Sequence, residues 1–131
     1  AFLPECRTVE MANAVKSELV NAYDNTILYT DYLVHSVIET LKNEFPDRRS
    51  CVIFISDHGE SLGEDGNYMH GLPKDMAPAC QLEIPFIVWT SDNTLKVKDI
   101  PKAGHYNIYH TVLDFLGLEA PFYDETKNIF E

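Results

Sequence analysis

The stretch that decides the fold is the apolar run Cys51-Val52-Ile53-Phe54-Ile55. It continues into Ser56-Asp57-His58-Gly59-Glu60-Ser61-Leu62-Gly63-Glu64 and, a short loop later, into Tyr68-Met69-His70-Gly71. The uninterrupted apolar run predicts a strand covered on both faces, as in the centre of a parallel α/β sheet. Glycine recurs through the segment after it, so the backbone there is expected to bend into a loop rather than form a regular element.

Further elements surround this strand and loop. Residues 9–45 contain no proline or glycine, and their apolar side chains recur at helical spacing, which predicts one long helix or two in succession. A second buried strand is predicted over 85–90, and a last amphipathic helix over 106–116 with Gly117 at its C′ position. The buried face of this last helix is expected to consist of Ile108, Val112, Leu113 and Leu116. The alternation indicates an α/β fold, although two strands are too few for a complete doubly wound sheet, so further strands are expected upstream.

Composition excludes several classes of protein. The chain has 131 residues, 45% of them apolar, which is sufficient for a folded core. Its formal charge of −11 repels phosphate backbones, so nucleic acid is not an expected partner. No window reaches the roughly 20 apolar residues of a membrane-spanning helix, and the chain itself is expected to be soluble. The 3 cysteines, with no C-x-x-C spacing, cannot all pair with one another, and Cys51 is expected to be a small packed residue.

The loop after the first strand carries a candidate zinc site. Zinc prefers imidazole, carboxylate and thiolate ligands, and catalytic zinc sites leave one position open for substrate. Asp57, His58 and His70 fit this need, because the Asp-His pair directly follows a buried strand and His70 is one loop away. Without that context, an Asp that caps a turn and a solvated His would be the simpler interpretation.

Other polar residues near this loop have structural as well as functional interpretations. Glu60 and Glu64 could orient the imidazoles, although loop carboxylates are more often simply solvated. His105 precedes the last helix and could reach a site, but a His there is commonly a cap. His35 and His110 lie within helices and are interpreted as structural. Asp24, Asn25 and Asp31 are interpreted as hydrogen-bonding groups that fix neighbouring loops.

Some signatures are absent. No Lys-Ser or Lys-Thr follows the glycines, so this is not a Walker phosphate loop, and there is no G-x-S-x-G nucleophile elbow. The Cys/Ser-x-Pro-x-Arg sequence that sulfatases modify is also missing.

Residues 57–64, followed by Gly66, Tyr68, His70-Gly71 and Pro73, closely resemble the phosphoethanolamine transferases of Gram-negative bacteria. These enzymes belong to the alkaline phosphatase and sulfatase superfamily. The resemblance extends to Asn21-Ala22-Tyr23-Asp24-Asn25 and to His110-Thr111-Val112-Leu113, and so covers nearly the whole chain. It implies that residues 1–131 are the C-terminal portion of a catalytic domain with an alkaline-phosphatase-like sandwich, in which helices flank a central, mostly parallel sheet.

The resemblance also implies an activity. Members carry N-terminal membrane helices and a catalytic domain on the periplasmic face of the bacterial inner membrane. They transfer phosphoethanolamine from phosphatidylethanolamine to lipid A or another envelope glycan, with zinc as cofactor. Asp57 and His58 correspond to zinc ligands, and His70 to a catalytic histidine at the substrate phosphate or a second zinc. The family's threonine nucleophile and its glutamate ligand are expected ahead of Ala1, so the chain alone is expected to be inactive.

Two departures from the family pattern affect particular residues. A disulfide at Cys6 is doubtful, because Met11-Ala12-Asn13-Ala14 lacks the expected second cysteine. Lys74 follows Gly-Leu-Pro where an aromatic or small residue is common, and it could contact a phosphate, although a solvated lysine is the simpler interpretation.

Two alternative functions stay open at this point. The first is a sulfatase, phosphodiesterase or phosphoglycerol transferase of the same superfamily, which could share the Asp-His metal pair. The second is a non-enzymatic zinc-binding module.

Overall fold

The longest element is helix α1, Lys16–Glu44. Its end agrees with the sequence prediction, because Pro46 cannot continue the hydrogen-bond ladder. Its start does not, since the helix was expected from residue 9 onward. A single 3-10 turn, Met11–Asn13, precedes it, and the backbone of Val15, directly before the helix, is extended with ψ 122°.

Groups on α1 hold the first residues of the chain against the helix. The Asn25 side chain accepts a hydrogen bond from the Phe2 amide at 2.7 Å and donates to the Phe2 carbonyl at 3.0 Å. Asn21 donates to the Pro4 carbonyl at 2.8 Å, and the Cys6 amide donates to the Glu18 carbonyl at 2.9 Å. The first residues therefore lie along α1, and the interpretation of Asn25 as a loop-fixing residue is confirmed.

The computed structural model describes residues 1–131, which form two compact units. The first unit contains Ala1–Phe45 and His58–Ile84, and the second contains Pro46–Asp57 and Pro85–Glu131. Neither unit contains a helix with the length and apolar character needed to cross a bilayer.

In the first unit, α1 is followed by a small hairpin and a short helix. The strands β2, Ser61–Leu62, and β3, Tyr68–Met69, pair antiparallel. Gly63 begins the connection between them at φ 107°, a left-handed conformation that favours glycine. The helix α2, Ala79–Leu82, begins after Pro78. The predicted glycine-rich loop is therefore partly a hairpin, whose strands are too short to leave a periodic signal in the sequence.

In the second unit, the two predicted strands form one sheet. The strands β1, Cys51–Ile55, and β4, Phe86–Thr90, pair antiparallel, with Ile53 opposite Val88. The sequence interpretation of β1 as a strand between parallel neighbours is thus wrong for its pairing with β4. The β1 residues are half-buried rather than covered on both faces. An unbroken apolar run indicates burial but not strand direction, which explains the difference.

Helix α3, His105–Leu116, ends at Gly117 with φ 64°, as predicted. The burial of its faces differs from the prediction, because Val112 and Leu116 are 38% and 57% exposed while Asn107, His110 and Thr111 are buried. These three polar side chains bind the C-terminal segment. Asn107 donates to the Lys127 carbonyl, His110 Nδ1 accepts from the Asp124 amide, and Thr111 Oγ1 accepts from the Ile129 amide. Ile129 and Phe130, each 1% exposed, are the most buried apolar residues of the chain.

The cysteines are all free thiols. Cys6 and Cys51 are half-buried and Cys80 is exposed. Burial raises the pKa of the Cys51 thiol, which fits the interpretation of this residue as a packed side chain rather than a nucleophile.

Candidate metal centre

Gly59 fixes the backbone next to His58. Its amide donates to the Gln81 carbonyl at 3.0 Å, which ties the loop after β1 to α2. A Cβ atom at this position would lie 2.0 Å from the Cys80 carbonyl oxygen, far inside van der Waals contact. Only glycine therefore allows the two backbones to approach this closely.

A buried polar contact anchors the next turn of the loop. Ser61 and Gln81 are 1% and 5% exposed, and Gln81 Nε2 donates to Ser61 Oγ at 2.8 Å. Ser61 Oγ also lies 3.4 Å from Cys80 Sγ, and loss of the Ser61 hydroxyl would leave the buried Gln81 amide without this acceptor. Glu60 thus lies between two residues, Gly59 and Ser61, that are both tied to α2.

The hairpin brings His70 next to Glu60. Ser61 pairs with Met69, so Glu60 and His70 are the next residues outward from that pair. Met69 has φ 62° and Gly71 has φ 104°, so the chain turns sharply on both sides of His70. A positive φ at a non-glycine residue is uncommon and costs free energy, which the surrounding structure must offset.

His58, Glu60 and His70 form one cluster. The imidazole rings of the two histidines stack with centroids 3.5 Å apart and planes at 30°. Glu60 Oε1 lies 2.6 Å from His70 Nδ1 and 3.5 Å from His58 Nδ1. His58 Nδ1 is also 3.0 Å from the Gly59 carbonyl oxygen. The cluster is partly open to solvent, since 41% of the His70 side chain is exposed.

This donor set has the chemistry of a metal site. One potential ligand atom from each of the three residues lies within 4.8 Å of the other two. Two imidazoles and a carboxylate are ligands that Zn²⁺ prefers, and three protein ligands leave a position open in a tetrahedral site. The residues present therefore fit a zinc ion.

The predicted site residues are distributed between the two units. His58 and His70 meet in the first unit, whereas Asp57 is exposed and is the last residue of a segment in the second. Its role as a metal ligand stays a prediction. His105, exposed at the start of α3, also belongs to the second unit. Lys74 is exposed in the first unit.

Glu64 has a structural contact. Its carboxylate accepts a hydrogen bond from the Leu62 amide at 2.6 Å and lies 3.2 Å from Lys16 Nζ. Backbone hydrogen bonds from Glu64 and Leu62, and then the Lys16 ammonium, lower the pKa of this carboxyl group. Glu64 therefore ties the hairpin to α1, and Glu60 is the loop carboxylate that contacts an imidazole.

The sequence could not separate these two carboxylates. Glu60 and Glu64 occupy similar positions in the motif, and only the pairing of Ser61 with Met69 places Glu60 beside His70. That pairing depends on a hairpin of two-residue strands, which no periodic pattern indicates.

The family relationship follows from comparison with known proteins. The sulfatase family model matches residues 2–118. The chain belongs to the sulfatase family. Among curated relatives, it is 47% identical over 125 residues to the phosphoethanolamine transferase EptA of Helicobacter pylori, covering 92% of this chain and 24% of that protein. The resemblance to phosphoethanolamine transferases inferred from the sequence is confirmed.

Solved structures agree with this relationship. The C-terminal periplasmic domain of phosphoethanolamine transferase EptC from Campylobacter jejuni matches with a TM-score of 0.84 and 34% identity, covering 98% of this chain and 43% of that domain. The integral membrane lipooligosaccharide phosphoethanolamine transferase A of Neisseria meningitidis matches with a TM-score of 0.88 and 34% identity, over 98% of this chain and 26% of that protein. The predicted alkaline-phosphatase-like fold class is thus confirmed. The chain spans about a quarter of the length of the curated relatives it matches.

Proposed function

We propose that this chain is part of a zinc-dependent transferase that moves phosphoethanolamine from phosphatidylethanolamine to lipid A or another envelope glycan. The observation that carries the proposal is the cluster of His58, Glu60 and His70 within a motif that resembles this class of transferase. The similarity to named phosphoethanolamine transferases over more than nine-tenths of the chain supports it.

The place of the chain in the whole protein is part of the proposal. Residues 1–131 form the C-terminal portion of a catalytic domain at the periplasmic face of the bacterial inner membrane. Membrane helices elsewhere in the full-length protein anchor it. Similarity to a periplasmic domain and to an integral membrane transferase supports this arrangement.

Asp57, His58 and His70 are the proposed zinc ligands in this chain. When bound, zinc polarises a phosphoryl oxygen and lowers the pKa of a nucleophilic hydroxyl. The residues around these ligands hold them in position. Gly59 and the Ser61–Gln81 hydrogen bond hold His58 at one position, and the turn at Met69 brings His70 over it.

His70 has a second proposed role, at the transferring group. Phosphoryl oxygens gain negative charge as the group leaves its donor, and the N–H group of a positioned imidazolium stabilises that charge. The partly exposed ring of His70 is open to such a ligand, and its contact with Glu60 supplies a fixed orientation.

The test is a transfer assay with the full-length protein, phosphatidylethanolamine and lipid A, followed by mass spectrometry of the lipid A product. Asp57→Ala, His58→Ala and His70→Ala should each lower transfer by at least about 100-fold, in line with loss of metal or of transition-state stabilisation. Glu83→Gln, a change at the exposed residue directly after α2, is the matched control and should transfer at the unaltered rate. Undiminished transfer by His58→Ala would refute the assignment.

The family match itself supports a second candidate, hydrolysis of a sulfate or phosphate ester. The same pair of ligands, Asp57 and His58, could serve that reaction, with water as the acceptor. If the protein releases sulfate or phosphate from esters and leaves lipid A unmodified, the hydrolase is correct and the transferase proposal fails.

A further inference from the structure

The later part of the C-terminal segment is attached by groups that do not titrate near neutral pH. Asn107 donates to the Lys127 carbonyl at 2.8 Å, and Thr111 Oγ1 accepts from the Ile129 amide at 3.2 Å. The Ile129 carbonyl also accepts from the Lys98 amide at 2.8 Å. Amide and hydroxyl side chains keep their charge across the physiological range. This part of the attachment is therefore expected to be independent of pH.

His110 attaches the beginning of the same segment. Its side chain is 7% exposed, and its Nδ1 atom accepts a hydrogen bond from the Asp124 amide at 3.0 Å. The ring centroid of Tyr109 lies 5.1 Å away with the planes at 87°, and that of Tyr123 lies 5.9 Å away at 57°. The imidazole is thus enclosed by two aromatic rings and by the backbone that it binds.

This hydrogen bond defines the protonation state of the ring. A backbone N–H group can only donate, so Nδ1 must carry a lone pair, and the proton of the neutral ring is then on Nε2. An imidazolium has a proton on both nitrogens and cannot accept. Its Nδ1–H group would also face the Asp124 N–H group at hydrogen-bond distance. The contact therefore exists only while His110 is neutral.

The charged groups around the ring do not change this requirement. The Asp124 carboxylate lies 2.6 Å from Thr126 Oγ1 and 3.1 Å from Lys127 Nζ. A carboxylate near the ring would stabilise a protonated imidazole, but it cannot supply the acceptor that the Asp124 amide needs. The titratable and charged groups of the two elements that meet at the ring are Tyr109, Asp114, Tyr123, Asp124, Glu125 and Lys127.

We propose that His110 is a proton-sensitive latch, in which protonation of the ring releases the Asp124 end of the C-terminal segment while Ile129 and Phe130 stay attached. Histidine is the side chain whose charge ordinarily changes between about pH 5 and 8. The latched state requires a neutral ring, whereas the open state admits a further proton. The open state therefore binds more protons, and the latch weakens as the pH falls.

Hydrogen exchange of the full-length protein between pH 7 and pH 5 tests the proposal. Mass spectrometry of overlapping peptides gives the rate at single amides, and each rate is compared with the intrinsic rate at the same pH. Protection of the Asp124 amide should fall by at least about threefold over this range, with a limit of about tenfold per pH unit for one coupled proton. The Ile129 amide, bound to Thr111 Oγ1, is the internal reference and should keep its protection.

A variant assigns the pH dependence to His110. In His110→Asn the amide oxygen can occupy about the position of Nδ1 and accept from the Asp124 amide, but the side chain does not titrate. Protection of the Asp124 amide should then no longer depend on pH. His35→Asn, at an exposed histidine of α1, is the matched control and should keep the pH dependence of the unaltered protein.

Two results would overturn the proposal. The first is constant protection of the Asp124 amide between pH 7 and pH 5 in the unaltered protein, or an equal fall at the Ile129 amide. The second is a pH dependence that persists in His110→Asn. Because the first comparison uses only the unaltered protein, it decides the matter even if His110→Asn does not fold.

Discussion

Gly59→Ala tests whether close backbone packing positions the cluster. The added methyl group would lie 2.0 Å from the Cys80 carbonyl oxygen and 3.2 Å from the Gln81 Cα atom. These are backbone atoms, which cannot rotate away as a flexible side chain can. Either α2 or the loop at His58 must move.

The expected cost comes from two contributions. Overpacking of this kind typically destabilises a protein by about 1–3 kcal/mol. The displacement also lengthens the Gly59–Gln81 hydrogen bond, which contributes about 0.5–1.5 kcal/mol. We therefore expect a loss of about 1.5–4.5 kcal/mol in the free energy of unfolding.

Gly66→Ala is the matched control. Gly66 has φ 77° and no atom within 4 Å of its added methyl group, so only the left-handed backbone conformation opposes alanine. That cost is about 1–2 kcal/mol. Urea unfolding followed by circular dichroism should therefore place Gly59→Ala below Gly66→Ala in stability. If Gly59→Ala is as stable as Gly66→Ala or more stable, the close approach does not hold the loop and the reasoning is wrong.

Two further predictions concern the C-terminal segment. Thr111→Val should destabilise the protein by about 1–3 kcal/mol in urea unfolding, because Thr111 is fully buried and the Ile129 amide would lose its acceptor. Thr40→Val is the control, because Thr40 is exposed and, like Thr111, donates to the carbonyl four residues earlier. It should change stability by less than about 0.5 kcal/mol, and equal effects of the two substitutions would contradict the account. Hydrogen bonds from Thr126, and then the Lys127 ammonium, lower the pKa of Asp124 from 3.8 to about 2. The ionised Asp124 carboxylate therefore contributes fully to stability above its ordinary pKa, and this contribution is lost as the pH falls through about 2. Asp124→Asn should flatten the acid limb of a plot of unfolding free energy against pH. An unaltered acid limb would contradict this prediction.

Elements with a strong periodic or apolar signal were predictable from the sequence. The end of α1, both strands and the glycine-terminated α3 lie where composition and capping residues placed them. The burial pattern of α3 was not predictable, because its buried face consists of Asn107, His110 and Thr111. Apolar periodicity identifies faces that pack by the hydrophobic effect, whereas this face binds a distant segment through hydrogen bonds.

The candidate site, too, was predictable only in part. His58 and His70 were identified from residue type and from their position after a strand, and the structure places their rings in contact. The contact of Glu60 with His70 depends on strand register, which the sequence did not indicate. The assignment of Asp57 as a metal ligand comes from its place directly after β1 and from the resemblance.

Zinc content tests the central claim most directly. The full-length protein, purified without chelators, should contain zinc by inductively coupled plasma mass spectrometry. His58→Ala should lose that zinc, and Glu83→Gln, treated identically, should retain it. Unaltered protein that is free of metal, or His58→Ala protein with undiminished zinc, would contradict the account.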